Sequence, residues 1–183
     1  MNPFKFKPLR HVDLTLMHQW FQEPTINYWY AKNKNWSLDE IKEKYEPRIS
    51  GNEWVPGFVV YQDNTPLGFI QYYVLTDSLP DGIDDHHHPL FKKYPPNELA
   101  GIDLFIALDT VRGRGLGVLL INQFISKFLT HFKAVIIDPN INNLQAIRCY
   151  EKAGFKKTTF SQNSNHLIMI KSLASALEYA RDN

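Results

Sequence analysis

Arg112-Gly113-Arg114-Gly115-Leu116-Gly117 sets alternating glycines and two arginines between an apolar run, Leu104 to Asp109, and an apolar helical pattern, Val118 to Phe132. A strand, a glycine loop and a helix in that order make an anion site. Glycines let the backbone approach a ligand, and the first amides of a helix have no internal partner. The helix dipole adds roughly half a positive charge, and the arginines add fork-shaped donors. The chemistry on offer is the binding of a diphosphate. Spacing narrows the choice of ligand. A dinucleotide fingerprint reads G-x-G-x-x-G, and here the third glycine comes one position early; no Gly-Lys-Ser/Thr follows, which excludes a P-loop. A left-handed turn with a plain helix start is the bland alternative.

Carboxylates supply the second kind of chemistry. Acids attract a cationic amine and can take its proton directly or through water. The candidates are Asp81, Asp84, Asp85, Glu98, Asp103 and Asp138. Asp103 sits just before the strand at 104–109 and is the first choice for a base. Asp138 ends the run Ala134 to Asp138, where ligands gather in open α/β sheets; an Asp-Pro turn competes for it. Asp81, Asp84 and Asp85 can equally form a solvated loop face. Tyr28, Trp29 and Trp36 can wall a sugar or form a hydrophobic lid, with core packing as the alternative. His86-His87-His88 points in three directions and has no Cys or further His spaced to complete a tetrahedral set, so no metal is expected.

These residues need elements to hold them. Phe4, Phe6 and Leu9 start a strand. Asp13 caps a helix carrying Leu14, Met17, Trp20 and Phe21, ended by Pro24; Ile26 to Trp36 reads as irregular. Ser37-Leu38-Asp39-Glu40 is a capping box that opens a second helix up to Pro47. Strands follow at Phe58 to Gln62 and Leu67 to Leu75, joined by the turn Asp63-Asn64-Thr65-Pro66. Residues 76 to 101 read as one long loop. Then come the strand at 104–109, the glycine loop, a helix at 118–132, a strand at 134–138, and a helix from Asn143 to Ala153 ended by Gly154. Lys156 to Phe160 and His166 to Lys171 suggest a final hairpin, and Leu173 to Arg181 a short helix. Asn143 and Tyr150, seven apart, share one helix face.

The glycine loop resembles the R/Q-x-x-G-x-G/A loop of the GCN5-related N-acetyltransferases. Asp138-Pro139-Asn140-Ile141-Asn142-Asn143-Leu144-Gln145-Ala146-Ile147-Arg148-Cys149-Tyr150-Glu151-Lys152-Ala153-Gly154-Phe155 resembles that family's strand, Asn-capped helix and Tyr-x-x-x-Gly-Phe. The same stretch is similar, nearly residue by residue, to the signature of the aminoglycoside 6′-N-acetyltransferases. Gly101-Ile102-Asp103 also resembles the segment carrying their acceptor-side aspartate. The resemblance is specific in the second half of the chain and loose before residue 100.

It implies an α/β fold: a mixed central sheet flanked by helices, with splayed central parallel strands. It also implies acetyl-CoA as co-substrate. Backbone of Arg112, Gly113, Arg114, Gly115, Leu116 and Gly117 would hold the pyrophosphate. Phe105, Ile106 and Ala107 would bond the pantetheine amides and polarise the thioester. Asn143 would bond the pantetheine arm, although helix capping is its alternative, with Asn142 competing. Tyr150 would donate a proton to the departing thiolate, since a thiol ionises near ~8.5 and a phenol near ~10; core packing is its alternative. Asp103 would act beside the amine, with Tyr28, Trp29, Asp81, Asp138 and Asn165 on the acceptor side. Asn165 stands where the aminoglycoside enzymes carry an acid. The reading is acetyl transfer in a ternary complex to a primary amine, foremost the 6′-amine of an aminoglycoside, giving resistance. A polyamine, siderophore precursor or peptide N-terminus is the alternative acceptor, and a non-catalytic acyl-CoA sensor the alternative class.

Composition fits that class. At 183 residues one acetyltransferase domain over 1–183 is expected. A net charge of +1 gives no global field for nucleic acid or membrane. The one cysteine, Cys149, excludes an internal disulfide framework and fits a reducing compartment. With no apolar leader or spanning run, a cytoplasmic monomer or homodimer acting on a small cationic amine is expected.

Overall fold

Local signals account for most of the elements. The computed structural model describes residues 4–107, 115–159 and 165–173. Strand β1 is Lys5–Pro8. Helix α1, Leu14–Phe21, buries Leu14, Met17, Trp20 and Phe21 at helical spacing. Asp13 precedes it but makes no cap bond; its carboxylate instead accepts from the Arg10 backbone and guanidinium. Pro24 does more than end α1: it opens a further helix, α2, Pro24–Trp29, whose cap is Glu23. Proline at a first helical position loses no bond, and that is why a segment read as irregular is helical. Helix α3 is Leu38–Ile49, opened by the expected capping box at Ser37 and Glu40. It passes through Pro47, two residues from its end, where the missing N–H removes a single internal bond.

Strands β2, Gly57–Gln62, and β3, Thr65–Val74, form a hairpin turning at Asp63 (φ 53°). The long loop is shorter than expected. It holds a one-turn helix α4, Leu90–Lys93, and a 3-10 turn at Pro96–Glu98. Strand β4 then starts at Leu99, five residues earlier than the reading of 104–109, and ends at Ile106. Its first four residues, Leu99-Ala100-Gly101-Ile102, are all buried. A strand covered on both faces lacks alternation, and the embedded glycine hides it further. Asp103 therefore lies inside the strand, not before it. Helix α5 is Leu116–Phe128, β5 is Ala134–Ile137, α6 is Leu144–Lys152, β6 is Lys156–Lys157 and β7 is Met169–Ser172. The suggested tail helix from Leu173 onward lies almost wholly outside the described residues.

The seven strands are ordered β1-β2-β3-β4-β5-β7-β6 in one mixed sheet. Strands β4 and β5 are parallel, and their ladder runs only from Leu99↔Ala134 to Gly101↔Ile136. Strand β4 continues five residues past that last pair.

Packing groups the chain into two units: Met1–Tyr72 with Asp103–Arg114, and Tyr73–Ile102 with Gly115–Asn183. In the first, Phe21 sits edge-on to Tyr30, Trp36, Tyr45 and Phe105. Such pairs add about 0.5–1.5 kcal/mol each beyond their buried area. In the second, α5 buries Leu120, Ile121 and Phe124, and all four residues of β5 are buried. No helix among the described residues is long and apolar enough to cross a membrane.

Candidate active site

In the first unit, the end of β4 carries the expected donor-side backbone. Phe105 is buried, with its ring 4.8 Å from Tyr30 and 5.6 Å from Trp20, so its side chain anchors the strand. Only its backbone can serve a ligand. The Ala107 amide donates to Leu67 O at 2.6 Å. Asp103 accepts at Oδ2 from Gln71 Nε2 at 2.8 Å. Gln71 Oε1 in turn accepts from Arg48 Nη1 at 2.9 Å, and Arg48 Nη2 pairs with Glu53 at 2.9 Å. Tyr30 and Tyr45 line the same region. Burial pushes both phenols up, and the Asp103 charge acts in the same direction. Tyr28 and Trp29 close α2 as an edge-on pair with centroids 4.6 Å apart. They are 59% and 37% exposed, which core packing does not explain.

In the second unit, α5 opens at Gly115, which has φ 79° and no side-chain cap; nothing lies within 4 Å of where its Cβ would stand. The first turn of α5 holds no acid to oppose an anion. Leu116 is buried, so what it offers a ligand is backbone, as at Gly117 beside it. A helix dipole, a left-handed glycine and open space fit a pyrophosphate. Arg112, Gly113 and Arg114 lie outside the described residues.

Helix α6 is held at both ends. Asn143, not Asn142, is its cap: Asn143 Oδ1 accepts from Ala146 N at 3.1 Å. At the other end Gly154 takes φ 95°, and Lys171 Nζ donates to Ala153 O and Asn122 Oδ1, both at 2.6 Å. Tyr150 O accepts from Phe155 N at 3.0 Å, and its ring lies 6.2 Å from that of Phe155. The helix that carries Tyr150 is thereby tied to α5 and β7. Burial pushes the Cys149 thiol up, which argues against a thiolate nucleophile beside Tyr150.

The acceptor-side candidates of this unit converge. Asp138 Oδ2 accepts from Gly82 N at 3.1 Å, which brings Asp81 to the end of β5. Asp81 lies 3.9 Å from His166, next to Asn165. Asn165 O accepts from Ile141 N at 2.9 Å. Asp85 instead turns to the His87 amide, and Glu98 pairs with Lys133 at 2.7 Å, at the start of β4 and β5. Neither joins the group. His166, Gln71 and Arg48 were not singled out in the sequence. The contacts that tie them to the candidate carboxylates, Arg48–Gln71, Gln71–Asp103 and Asp81–His166, span 23 to 85 residues, and no local pattern marks them.

Comparison with known proteins places this arrangement. The family model for the acetyltransferase (GNAT) domain matches residues 10–162. The chain belongs to the GNAT acetyltransferase family. The mixed sheet with a parallel β4–β5 pair is the fold expected of it. An aminoglycoside N(6′)-acetyltransferase type 1 of Klebsiella pneumoniae is 28% identical over 148 residues, covering 79% of this chain and 70% of that protein. A crystal structure of the aminoglycoside acetyltransferase AAC(6′)-Ib with coenzyme A and kanamycin is 26% identical, with TM-score 0.77, covering 97% of this chain and 99% of that one. A structure of AAC(6′)-Ib with paromomycin and acetyl-CoA is similar in fold, at TM-score 0.79 and 24% identity, over 98% of this chain and 97% of that one. Acetyl-CoA is the co-substrate of GNAT enzymes, and this acetyltransferase is an N-acetyltransferase.

Proposed function

We propose that this acetyltransferase transfers the acetyl group of acetyl-CoA to the 6′-amine of an aminoglycoside, acting in the cytoplasm as a single domain, monomeric or homodimeric. The observation that carries the reading is the Gly82–Asp138 bond. It gathers Asp81 and Asp138 at one strand end, where two carboxylates suit a polycation and a neutral acceptor gains nothing. The names of the similar enzymes support the same class of acceptor.

Each residue then has a task. Amides of Gly115, Leu116 and Gly117, with Arg112, Gly113 and Arg114, hold the pyrophosphate. Backbone of Phe105, Ile106 and Ala107 orients the pantetheine arm, and Asn143 supports it from α6. Acetyl-CoA supplies the activated thioester. Asp103 takes the proton from the acceptor ammonium at its carboxylate, and Tyr150 Oη gives a proton to the leaving sulfur. Tyr28 and Trp29 present aromatic faces to sugar rings. Asp81, Asp138 and Asn165 orient the remaining ammonium and hydroxyl groups.

The test is mass spectrometry after incubation with acetyl-CoA and a panel of amines. Kanamycin should gain one acetyl group, and an aminoglycoside with a hydroxyl at position 6′ should gain none on that ring. Acetylation of a polyamine, a siderophore precursor or a peptide N-terminus in preference to kanamycin would refute the acceptor assignment. Acetyl-CoA binding without turnover on any amine would make the protein a sensor.

A further inference from the structure

We propose that Arg48 and Gln71 are positioning residues for Asp103, forming a relay that aims and holds its carboxylate. This rests on the reading of Asp103 as the group that receives the amine proton.

Gln71, on β3, is 5% exposed, and both ends of its amide are bonded. Which end faces which partner is dictated by chemistry. A guanidinium only donates, and an ionised carboxylate only accepts. The Gln71 carbonyl must therefore face Arg48, and its NH2 must face Asp103; the flipped amide would set donor against donor and acceptor against acceptor. One buried dipole carries the influence of the Arg48 charge to the Asp103 oxygen. The same bond fixes the rotation of that carboxylate on its strand.

Arg48 is itself held. Its side chain is 16% exposed, its Nη2 pairs with Glu53, and its guanidinium lies 5.4 Å from the Tyr45 ring. Among the described residues, Arg48, Tyr30 and Tyr45 are charged or titratable groups that bear on Asp103, with Glu53 on the far side of Arg48. Burial keeps both phenols neutral, which leaves Arg48 as the positive charge that this network aims at Asp103. A polar chain this buried is costly to leave half made, and packing alone calls for no glutamine at position 71.

The test uses steady-state kinetics with kanamycin and acetyl-CoA on four single variants and one double variant, whose folding is checked by thermal melting. Asp103→Asn should lose most of kcat. Gln71→Leu and Arg48→Met should each lower kcat about 10- to 100-fold, the cost of a misaimed group, with little change in the KM for acetyl-CoA. In the Asp103→Asn background, Gln71→Leu should have no further effect. Gln71→Glu keeps size and the Arg48 bond but sets two carboxylates 2.8 Å apart if nothing moves. Such a pair retains a shared proton only toward acid, so activity relative to the parent should rise as pH falls. If Gln71→Leu does not fold, that pH-dependent ratio decides. A kcat kept within about twofold in Gln71→Leu and Arg48→Met, with Asp103→Asn inactive, overturns the relay alone. A flat ratio for Gln71→Glu overturns it too. Full turnover in Asp103→Asn overturns the role of Asp103 and the relay with it.

Discussion

Gly68 gives the sharpest prediction, because its neighbours are backbone atoms that cannot rotate away. It lies on β3, and a Cβ built on it would overlap the carbonyl oxygen of Phe105 and stand 3.0 Å from the Ile106 Cα. Carbon atoms rest about 3.5–4.0 Å apart, so Gly68→Ala obliges the end of β4 to retreat by roughly 1 Å. Overpacking of this kind costs about 1–3 kcal/mol and occasionally more. Alanine in place of glycine returns about 0.4–1 kcal/mol by restricting the unfolded chain. The net loss is about 1 kcal/mol, or ~2–4 °C in Tm for a domain of this size. The displaced segment, Phe105 to Ala107, is the one assigned to the pantetheine arm, so the KM for acetyl-CoA should rise as well. Differential scanning calorimetry and initial rates at varied acetyl-CoA read the two effects. A Gly68→Ala protein with unchanged or higher Tm would refute the close approach of β3 to Phe105. A lower Tm with unchanged KM would refute the placement of the cofactor arm on that strand.

Gly101→Ala should destabilise by about 1–3 kcal/mol, because its Cβ would run into the buried ring of Tyr73; a smaller side chain at position 73 should restore part of the loss in denaturant melts. Tyr150→Phe should lower kcat by about 10²–10⁴ while leaving acetyl-CoA affinity intact, as expected for loss of a general acid, and unchanged turnover would remove Tyr150 from the mechanism. Glu40 is held down at about 2 by the Lys34 ammonium and by the Ser37 amide, below its ordinary 4.5. Its folded form prefers the anion, so its contribution is complete above 4.5 and disappears as pH falls through about 2. Ser37→Ala removes the bond from the Glu40 amide to the Ser37 hydroxyl and should cost about 1 kcal/mol; that bond does not titrate, and Lys34 and the Ser37 amide still hold the Glu40 carboxylate, so the gap between its melting curve and that of the parent should persist as the pH is lowered toward 2.

Legibility in the sequence followed the reach of each signal. The capping box at Ser37 and the left-handed stop at Gly154 are contacts of three or four residues and are legible in place, whereas the sequence offers the cap of α6 to Asn143 and Asn142 alike. Helix α2 is hidden in the sequence because Pro24 signals the stop of α1 and is also the start of α2. The beginning of β4 was missed because Leu99 to Ile102 are buried on both faces, so the alternation that marks a half-exposed strand is absent. The glycine loop and the stretch ending at Phe155 were legible because each is contiguous. The network around Asp103 was not: Arg48 and Gln71 are 23 residues apart, Gln71 and Asp103 are 32 apart, and only strand pairing and α3 packing join them. The same holds for Gly82 and Asp138, 56 residues apart.

Asp138 shows how the two readings of one residue can both hold. As a turn residue it accepts the Gly82 amide at Oδ2, and a carboxylate has lone-pair sites for more than one donor. The bond therefore does not remove Asp138 from the acceptor side; it brings Asp81 there too. The segment from 76 to 98 is then tethered at Gly82 by the carboxylate of Asp138, just after β5, and at His86 by the carbonyl of Leu75, 2.9 Å away. About half of its residues are exposed, and most of its hydrogen bonds join near neighbours in the chain. Substitutions there can change which amine is gripped without disturbing β4, α5 or α6, where the donor is expected to bind. In the proposed function, acceptor choice and acetyl transfer thus fall to different pieces of chain, with Asp138 as the fixed point of the first and Tyr150 of the second.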